Sequence, residues 1–166
     1  MRRLQTMERI FFVTVNLRRG VQKFNADEYP ILVEVLKASR QRLDFSLCGY
    51  VLMPDHWHGL IWPHGDLTIS KAIHDVKKIS ALRVHRHRKT SGPFWQHQFW
   101  DRFLRHAREL SERLEYMHLN PVRRGLVRAP EDWRWSSHNN YAADARMIEE
   151  APIAIDYANL SDQYRA

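Results

Sequence analysis

The segment MPDHWHGLIW carries two histidines separated by one residue, His56 and His58. In a strand, side chains two apart point to the same side, so the two imidazoles would converge. Such a pair suits Mn²⁺ or Zn²⁺, can contribute to a Mg²⁺ site, and leaves open positions for phosphate oxygens. A hydrogen-bonded pair without metal is the competing reading. His85 and His87 repeat the spacing, but in a segment of helical pattern, where residues two apart do not share a face. The other group with chemistry is Tyr116, in HARELSERLEYMHLNPVRRGLV. Ala107, Leu110, Leu114 and Met117 form an apolar helical stripe there, and Tyr116 lies off it, on the side of Glu109, Glu112, Arg113 and Asn120. A phenol ordinarily ionises at about pH 10, so a tyrosine nucleophile needs a cation or a base beside it. Asn120, one turn along, could offer its amide oxygen as a third metal ligand. Equally, Asn120 and Pro121 could cap a new short segment closed by Gly125, because proline disfavours helical geometry in the residue before it. His118 turns away from Tyr116.

These residues need elements to hold them. Residues 10–17 are short, β-branched and aromatic, which predicts a strand. A helix follows, with Asp27 as its N-cap and Ile31, Leu32, Val35, Leu36 and Leu43 at helical spacing. Residues 45–53 and 56–62 are apolar runs joined by Pro54 and Asp55, which predicts a β-hairpin with the histidines on its second strand. Residues 68–88 keep one apolar face among Lys71, Lys77 and Lys78, giving a basic amphipathic helix ended by Ser91, Gly92 and Pro93. The aromatic stretch 94–104 predicts a further strand, and the helix of Tyr116 begins near residue 107. The sum is an α+β fold, an antiparallel sheet of about four strands with helices packed on one face.

The chain has 166 residues, no repeat and no Pro-, Gly- or Ser-rich linker, which suits one compact unit. Lys and Arg number 26 against 19 Asp and Glu, a net +7 that favours a polyanionic partner, nucleic acid first. The excess is concentrated in the middle, where Lys71, Lys77, Lys78, Arg83, Arg102 and Arg105 are the candidate DNA contacts. After Tyr141 the sign reverses, which divides the chain into a domain over residues 1–141 and an acidic C-terminal tail over 142–166. Opposite charge suggests that the tail lies over the basic face as a partial lid. The lone cysteine, Cys48, excludes an intramolecular disulfide and suits a reducing compartment. The apolar stretch near the N-terminus is too short for a membrane span or signal peptide, so the cytoplasm is the expected location.

Four segments in series, YVLMPDHWHGLIW at 50–62, FWQHQFWDRFLR at 94–105, YMHLNPVRRGLV at 116–127 and WRWSS at 133–137, resemble the REP-associated tyrosine transposases. These belong to the IS200-like group of histidine-hydrophobic-histidine, single-tyrosine transposases, whose sandwich fold the resemblance extends to this chain. It implies that His56 and His58 bind a divalent ion, Mg²⁺ or Mn²⁺, with Trp57 between them, and that Tyr116 attacks a DNA phosphate. A 5′-phosphotyrosine link and a free 3′-OH would result. Insertion-sequence relatives complete the metal site with a glutamine one turn after the tyrosine, where this chain has Asn120. The implied partner is single-stranded hairpin DNA of the repetitive extragenic palindrome type, bound by a monomer or homodimer, with Trp95 or Trp100 available to stack on unpaired bases. Two alternatives stand beside it: a non-catalytic hairpin-binding protein for DNA or RNA, and a histidine-site hydrolase that leaves two free ends.

Overall fold

The structure is a computed structural model that describes residues 9–158. Its strands are β1 (Phe11–Asn16), β2 (Phe45–Leu52), β3 (His56–Pro63) and β4 (Trp100–Phe103). Its helices are α1 (Tyr29–Leu43), α2 (Ile69–Arg88), α3 (Ala107–Arg123) and the short α4 (Ala145–Glu149). The strands form one antiparallel sheet in the order β2-β3-β1-β4. The expected α+β class with a four-stranded antiparallel sheet is what forms.

Helices α1 and α2 pack together on one face, over Val13, Val15, Leu52, Trp57 and Ile61. The expectation that the helices share one face is corrected for α3, which lies on the opposite side. There Leu110, Leu114 and Met117 meet Cys48, Val51 and Leu60. The reason lies in β3, which places Trp57 and Ile61 on one face and Leu60 on the other. A strand apolar on both sides needs cover on both. The same alternation sends His56 and His58 to the α3 side.

Strand β2 reads as an unbroken apolar run because its register shifts between Leu47 and Gly49. Phe45 and Leu47 face α1 and α2, and after the bulge at Cys48 so do Tyr50 and Leu52. Gly49 then lies under α3. A Cβ at this position would stand 2.7 Å from Leu114 Cδ2 and 3.0 Å from Met117 Cε, so the missing side chain lets α3 close onto the sheet.

Helix α2 starts as expected, with Thr68 Oγ1 accepting from the Lys71 N–H at 3.1 Å. Asp27 does not cap α1. Glu28 holds that position and turns its carboxylate to the Asn25 N–H and to Arg88 instead. Of the expected strand over 94–104 only Trp100–Phe103 forms; within 94–99 Trp95 makes a single antiparallel bridge to Leu17, with its side chain turned inward and Nε1–H donated to Ser80 Oγ at 2.9 Å.

The outer edge of β2 is covered by later chain. The Leu52 N–H donates to Trp135 O at 2.7 Å, Trp133 Nε1–H to Leu52 O at 3.0 Å, and the Tyr50 N–H to Ser137 Oγ at 3.0 Å. The WRWSS segment thus satisfies a strand edge that would otherwise be open to pairing. Further along, Asp156 N–H donates to Leu47 O at 2.8 Å and its carboxylate accepts from Leu47 N–H at 2.9 Å, with Ile153 and Ile155 buried. Residues 142–158 therefore follow the β2 edge and α1, where Arg40 reaches Ala154 O. They do not cover the basic residues of α2, and the lid expectation is corrected to that extent. Residues 159–166 lie outside the described residues.

Cys48 packs as a small apolar side chain with no exposed surface. Burial, and then the charge of Asp156, push its thiol up to about 12. The folded protein is therefore expected to react with an aromatic disulfide reagent at pH 8 about a thousand-fold more slowly than the denatured chain, because the thiolate is the reactive form. Comparable rates before and after denaturation would show the thiol to be open.

Candidate active site

The strand pairing sets the floor of the site. β3 lies against β1 with His58 opposite Thr14 and His56 opposite Asn16, and all four face α3. His56 and His58 are both buried, with their Nε2 atoms 3.2 Å apart. Each ring is oriented through its other nitrogen: His56 Nδ1 bonds Asp55 Oδ1 at 2.7 Å, and His58 Nδ1 bonds Thr14 Oγ1 at 2.8 Å. In the tautomer that carries both protons on Nδ1, these bonds are donated to Asp55 and Thr14 and both Nε2 lone pairs turn toward one point. Burial holds both imidazoles below their usual range, His58 further through the neighbouring His56, while Asp55 only partly offsets the effect at His56. They are accordingly neutral, which is the metal-ligating form.

Helix α3 forms the roof. The stripe of Leu110, Leu114 and Met117 seats it on the sheet and leaves Tyr116 and Asn120 at the cavity. The Tyr116 ring stands edge-on to His58 at 5.6 Å between centroids and to Phe12 at 6.1 Å. Asn120 is buried, with Nδ2 3.3 Å from His58 Nε2. Pro121 does not open a new segment. α3 runs through it to Arg123, so Asn120 remains one helical turn from Tyr116. Gly125 closes the end at φ 71°, its N–H on Val122 O.

The resulting cavity is about 400 Å³, lined by His56, His58, Tyr116 and Asn120 with Arg123 and Arg124. Neither arginine was singled out from sequence. The RRG directly after Asn120–Pro121–Val122 was the available signal, since the last turn of the tyrosine helix must lie beside whatever that helix serves. Arg124 binds Asp55 Oδ2 at 3.2 Å, tying the end of α3 to the turn that orients His56. Arg123 lies over the Tyr116 ring at 5.9 Å.

The donor set fits a divalent ion. Two metal–nitrogen bonds of about 2.1 Å at roughly right angles put their nitrogens about 3 Å apart, close to the spacing of the two Nε2 atoms. The Asn120 amide can present either nitrogen or oxygen to that point by rotation of its terminal torsion. No group of three His, Cys, Asp or Glu side chains that could hold a metal occurs among the described residues, so an ion here would rest on two imidazoles and an amide. Such a set leaves positions open for phosphate oxygens.

Other candidates lie elsewhere. His85 bonds Thr90 Oγ1 at 2.8 Å and Gly92 O at 2.9 Å, and so finishes the end of α2. His118 is buried against Ser137 Oγ at 2.8 Å, on the β2 side of α3. Lys71, Lys77, Lys78 and Arg83 sit on α2, in the layer opposite α3, and Lys77 is engaged by Gln96 O and His97 O. Arg102 pairs with Glu109, and Arg105 lies over Phe103. None of these six cations lines the tyrosine cavity. Trp95 is core, whereas Trp100 is 73% exposed on β4.

Residues 6–106 match the family model described as transposase, IS200-like. The chain belongs to the IS200-like transposase family. Within this family it is similar to the REP-associated tyrosine transposase of Escherichia coli, with 29% identity over 152 residues, 89% of this chain and 88% of that one. A Haemophilus influenzae protein provisionally given the same description is 25% identical over 146 residues, 81% of this chain and 83% of its own. Among solved structures, that of a REP-associated tyrosine transposase bound to a REP hairpin superposes with a TM-score of 0.72 at 24% identity, over 93% of this chain and 90% of that one. This IS200-like transposase is thus an enzyme of the tyrosine-transposase type, with their fold. Among the described residues, none of its helices is long and apolar enough to cross a membrane.

Proposed function

We propose that the protein is a metal-dependent strand transferase for single-stranded hairpin DNA, with Tyr116 as nucleophile and His56, His58 and Asn120 as metal ligands. The observation that carries this reading is the convergence of two neutral Nε2 atoms, the Asn120 amide and Tyr116 on one open cavity with arginines in its wall. Kinship to REP-associated transposases, and a similar fold solved with a REP hairpin, support hairpins of that type as substrate.

Arg123 and Arg124 place positive charge where a DNA phosphate would enter. The Tyr116 oxygen attacks phosphorus, the phosphorus–O3′ bond breaks with its electron pair on O3′, the phenol proton passes to water in the open cavity, and the leaving O3′ takes a proton from water. A 5′-phosphotyrosine and a 3′-OH are left. Attack by a 3′-OH on the same phosphorus reverses the exchange and restores the phenol, so no nucleotide cofactor is consumed. A bound Mg²⁺ or Mn²⁺ would supply Lewis acidity toward a phosphate oxygen. Asp55 and Thr14 hold the two imidazoles in the orientation that such binding needs.

The test is incubation with labelled hairpins of the host genome, with Mn²⁺ or with a chelator, followed by a denaturing gel. A covalent protein–DNA adduct is expected with metal only. His56→Ala and His58→Ala should each weaken Mn²⁺ binding by about ten-fold or more and abolish the adduct, while His85→Ala and His87→Ala leave both unchanged. Two free DNA ends without adduct would mean a hydrolase; binding without cleavage would mean a hairpin-binding protein.

A further inference from the structure

His118 stands in α3 two residues after Tyr116 and points the other way, toward the β2 edge. It is buried, and its Nε2 is hydrogen-bonded to Ser137 Oγ at 2.8 Å. Ser137 is itself fixed to the sheet. Its hydroxyl accepts from the Tyr50 N–H at 3.0 Å and lies 3.2 Å from Tyr50 O, and its neighbour Ser136 bridges Val51. The rings of His138 and Tyr141 enclose the imidazole at 5.3 and 5.9 Å between centroids, and Tyr141 donates its hydroxyl to Cys48 O. Burial, and then the charge of His138, hold the His118 imidazole down at about 4, so it is neutral near pH 7 and its effect on the tyrosine cavity is one of geometry.

The apolar stripe of Leu110, Leu114 and Met117 draws α3 to the sheet without direction, and Gly49 offers no side chain to stop the helix from turning. A hydrogen bond does have direction, and weakens steeply as its angle departs from linear. Pro121, inside α3, brings no N–H to Met117 O, so the turn that joins Tyr116 to Asn120 is short of one rung, and His118 lies within that turn. Rotation of the helix by about 10° would carry a side-chain tip about 6 Å from the axis through about 1 Å. A shift of that size at a reacting atom can lower a rate on the order of 100-fold.

We propose that His118 is a positioning residue for Tyr116: its bond to Ser137 ties the proline-weakened turn of α3 to the β2 backbone, and so fixes the phenol and the Asn120 amide relative to His58. The WRWSS segment thereby serves the tyrosine cavity from the far side of the helix, without touching DNA. The inference rests on the reading of Tyr116 as the nucleophile.

The test uses the full chain in three variants: His118→Phe, which keeps a ring in the buried space, Ser137→Ala, which removes the other partner, and His118→Gln, whose amide can reach Ser137 Oγ. Urea unfolding checks that each is folded at the assay temperature; where His118→Phe is not, Ser137→Ala and His118→Gln carry the comparison. With Mn²⁺ and saturating labelled hairpin, single-turnover adduct formation should fall about 30-fold in His118→Phe and Ser137→Ala and return to within about three-fold of the wild type in His118→Gln. Hairpin Kd in chelator should stay within about two-fold throughout, a split that mere loosening of the fold would not give. A second readout needs no cleavage. In protein labelled with 3-fluorotyrosine, the Tyr116 fluorine resonance, identified by its loss in Tyr116→Phe, should move in His118→Phe and Ser137→Ala as the ring shifts against His58 and Phe12, and return in His118→Gln. An adduct rate or a Tyr116 resonance at its wild-type value in the folded Phe and Ala variants overturns the positioning role. A rate loss matched by lost hairpin affinity, or one that His118→Gln does not restore, overturns it too. If the wild type forms no adduct, strand transfer falls and the resonance alone decides: a shift reversed by His118→Gln keeps the positioning of Tyr116, and an unmoved one removes it.

Discussion

Tyr116→Phe is expected to keep the fold and hairpin affinity of the wild type while reducing the covalent DNA adduct below detection. The ring is 38% exposed, and its hydroxyl makes no hydrogen bond to any described residue. Removing that oxygen should therefore change stability by no more than about 0.5 kcal/mol. The ring packing against His58 and Phe12 survives the change. What is lost is the atom that would form the bond to phosphorus, and no other described tyrosine can replace it. Tyr50, although next to the histidine strand, is fully buried on the α1 and α2 side, and burial pushes its phenol well above the usual range. Tyr29 is buried too, Tyr141 is committed to Cys48 O, and Tyr157 donates its hydroxyl to Asn140 O. The readout is a denaturing gel with labelled hairpin and Mn²⁺, beside an anisotropy titration in chelator. Adduct at wild-type yield from Tyr116→Phe would remove the assignment, and lost hairpin binding would show that the ring serves the interface instead.

The grouping of the candidate residues was more legible in the sequence than the layers that carry them. Period-two alternation put His56 and His58 on one face, and the helical stripe of Leu110, Leu114 and Met117 left Tyr116 off the packed side, because both patterns are local. The side of the sheet that α3 covers was not legible. It depends on Leu60 facing away from Trp57 and on the absence of a side chain at Gly49, which matter only once β2 and β3 are paired. The bulge at Cys48 hid the alternation of β2 for the same reason. Charge density along the chain pointed to α2, yet a count of cations ignores which are turned to another layer or engaged by carbonyls, as Lys77 is. Arg123 and Arg124 belong to no basic run and still line the cavity. Asn120–Pro121 looked like a helix start because proline restricts the residue before it. Tertiary packing of α3 on the sheet overrode that preference, and the helix continued.

Arg88→Met is expected to destabilise the fold more than any surface change away from the core. Glu28, at the start of α1, is 1% exposed, and Arg88, at the end of α2, is its only ion-pair partner among the described residues. The guanidinium forks onto both carboxylate oxygens, with Nη2 to Oε1 at 2.9 Å, and lies over Phe24 and Phe94 at 5.7 Å from each ring. Removing one partner of a buried pair leaves the other charge uncompensated, at a cost of about 3–5 kcal/mol. For a chain of this size that corresponds to a fall in Tm of roughly 10 °C. Burial, the largest single influence, would raise the Glu28 carboxyl; the Arg88 hydrogen bond and charge, the Asn25 N–H and the charge of His87 together outweigh it and hold the group below the usual range. In the wild type the pair's contribution is therefore present above the unfolded value of 4.5 and is lost as pH falls through the folded value. In the variant burial remains, opposed by the Asn25 N–H and the weaker charge of His87, so the folded carboxyl moves upward and the sign reverses: the deficit is largest at neutral pH and shrinks toward pH 4.5, where Glu28 can enter the fold protonated. Glu28→Gln/Arg88→Met should recover part of the loss at pH 7, since no charge is then buried. Urea unfolding of the three proteins at the two pH values decides it. A deficit under about 1 kcal/mol at pH 7, or one that grows on acidification, would mean that the α1–α2 junction is held by Phe24, Phe94 and Trp95 and not by the ion pair.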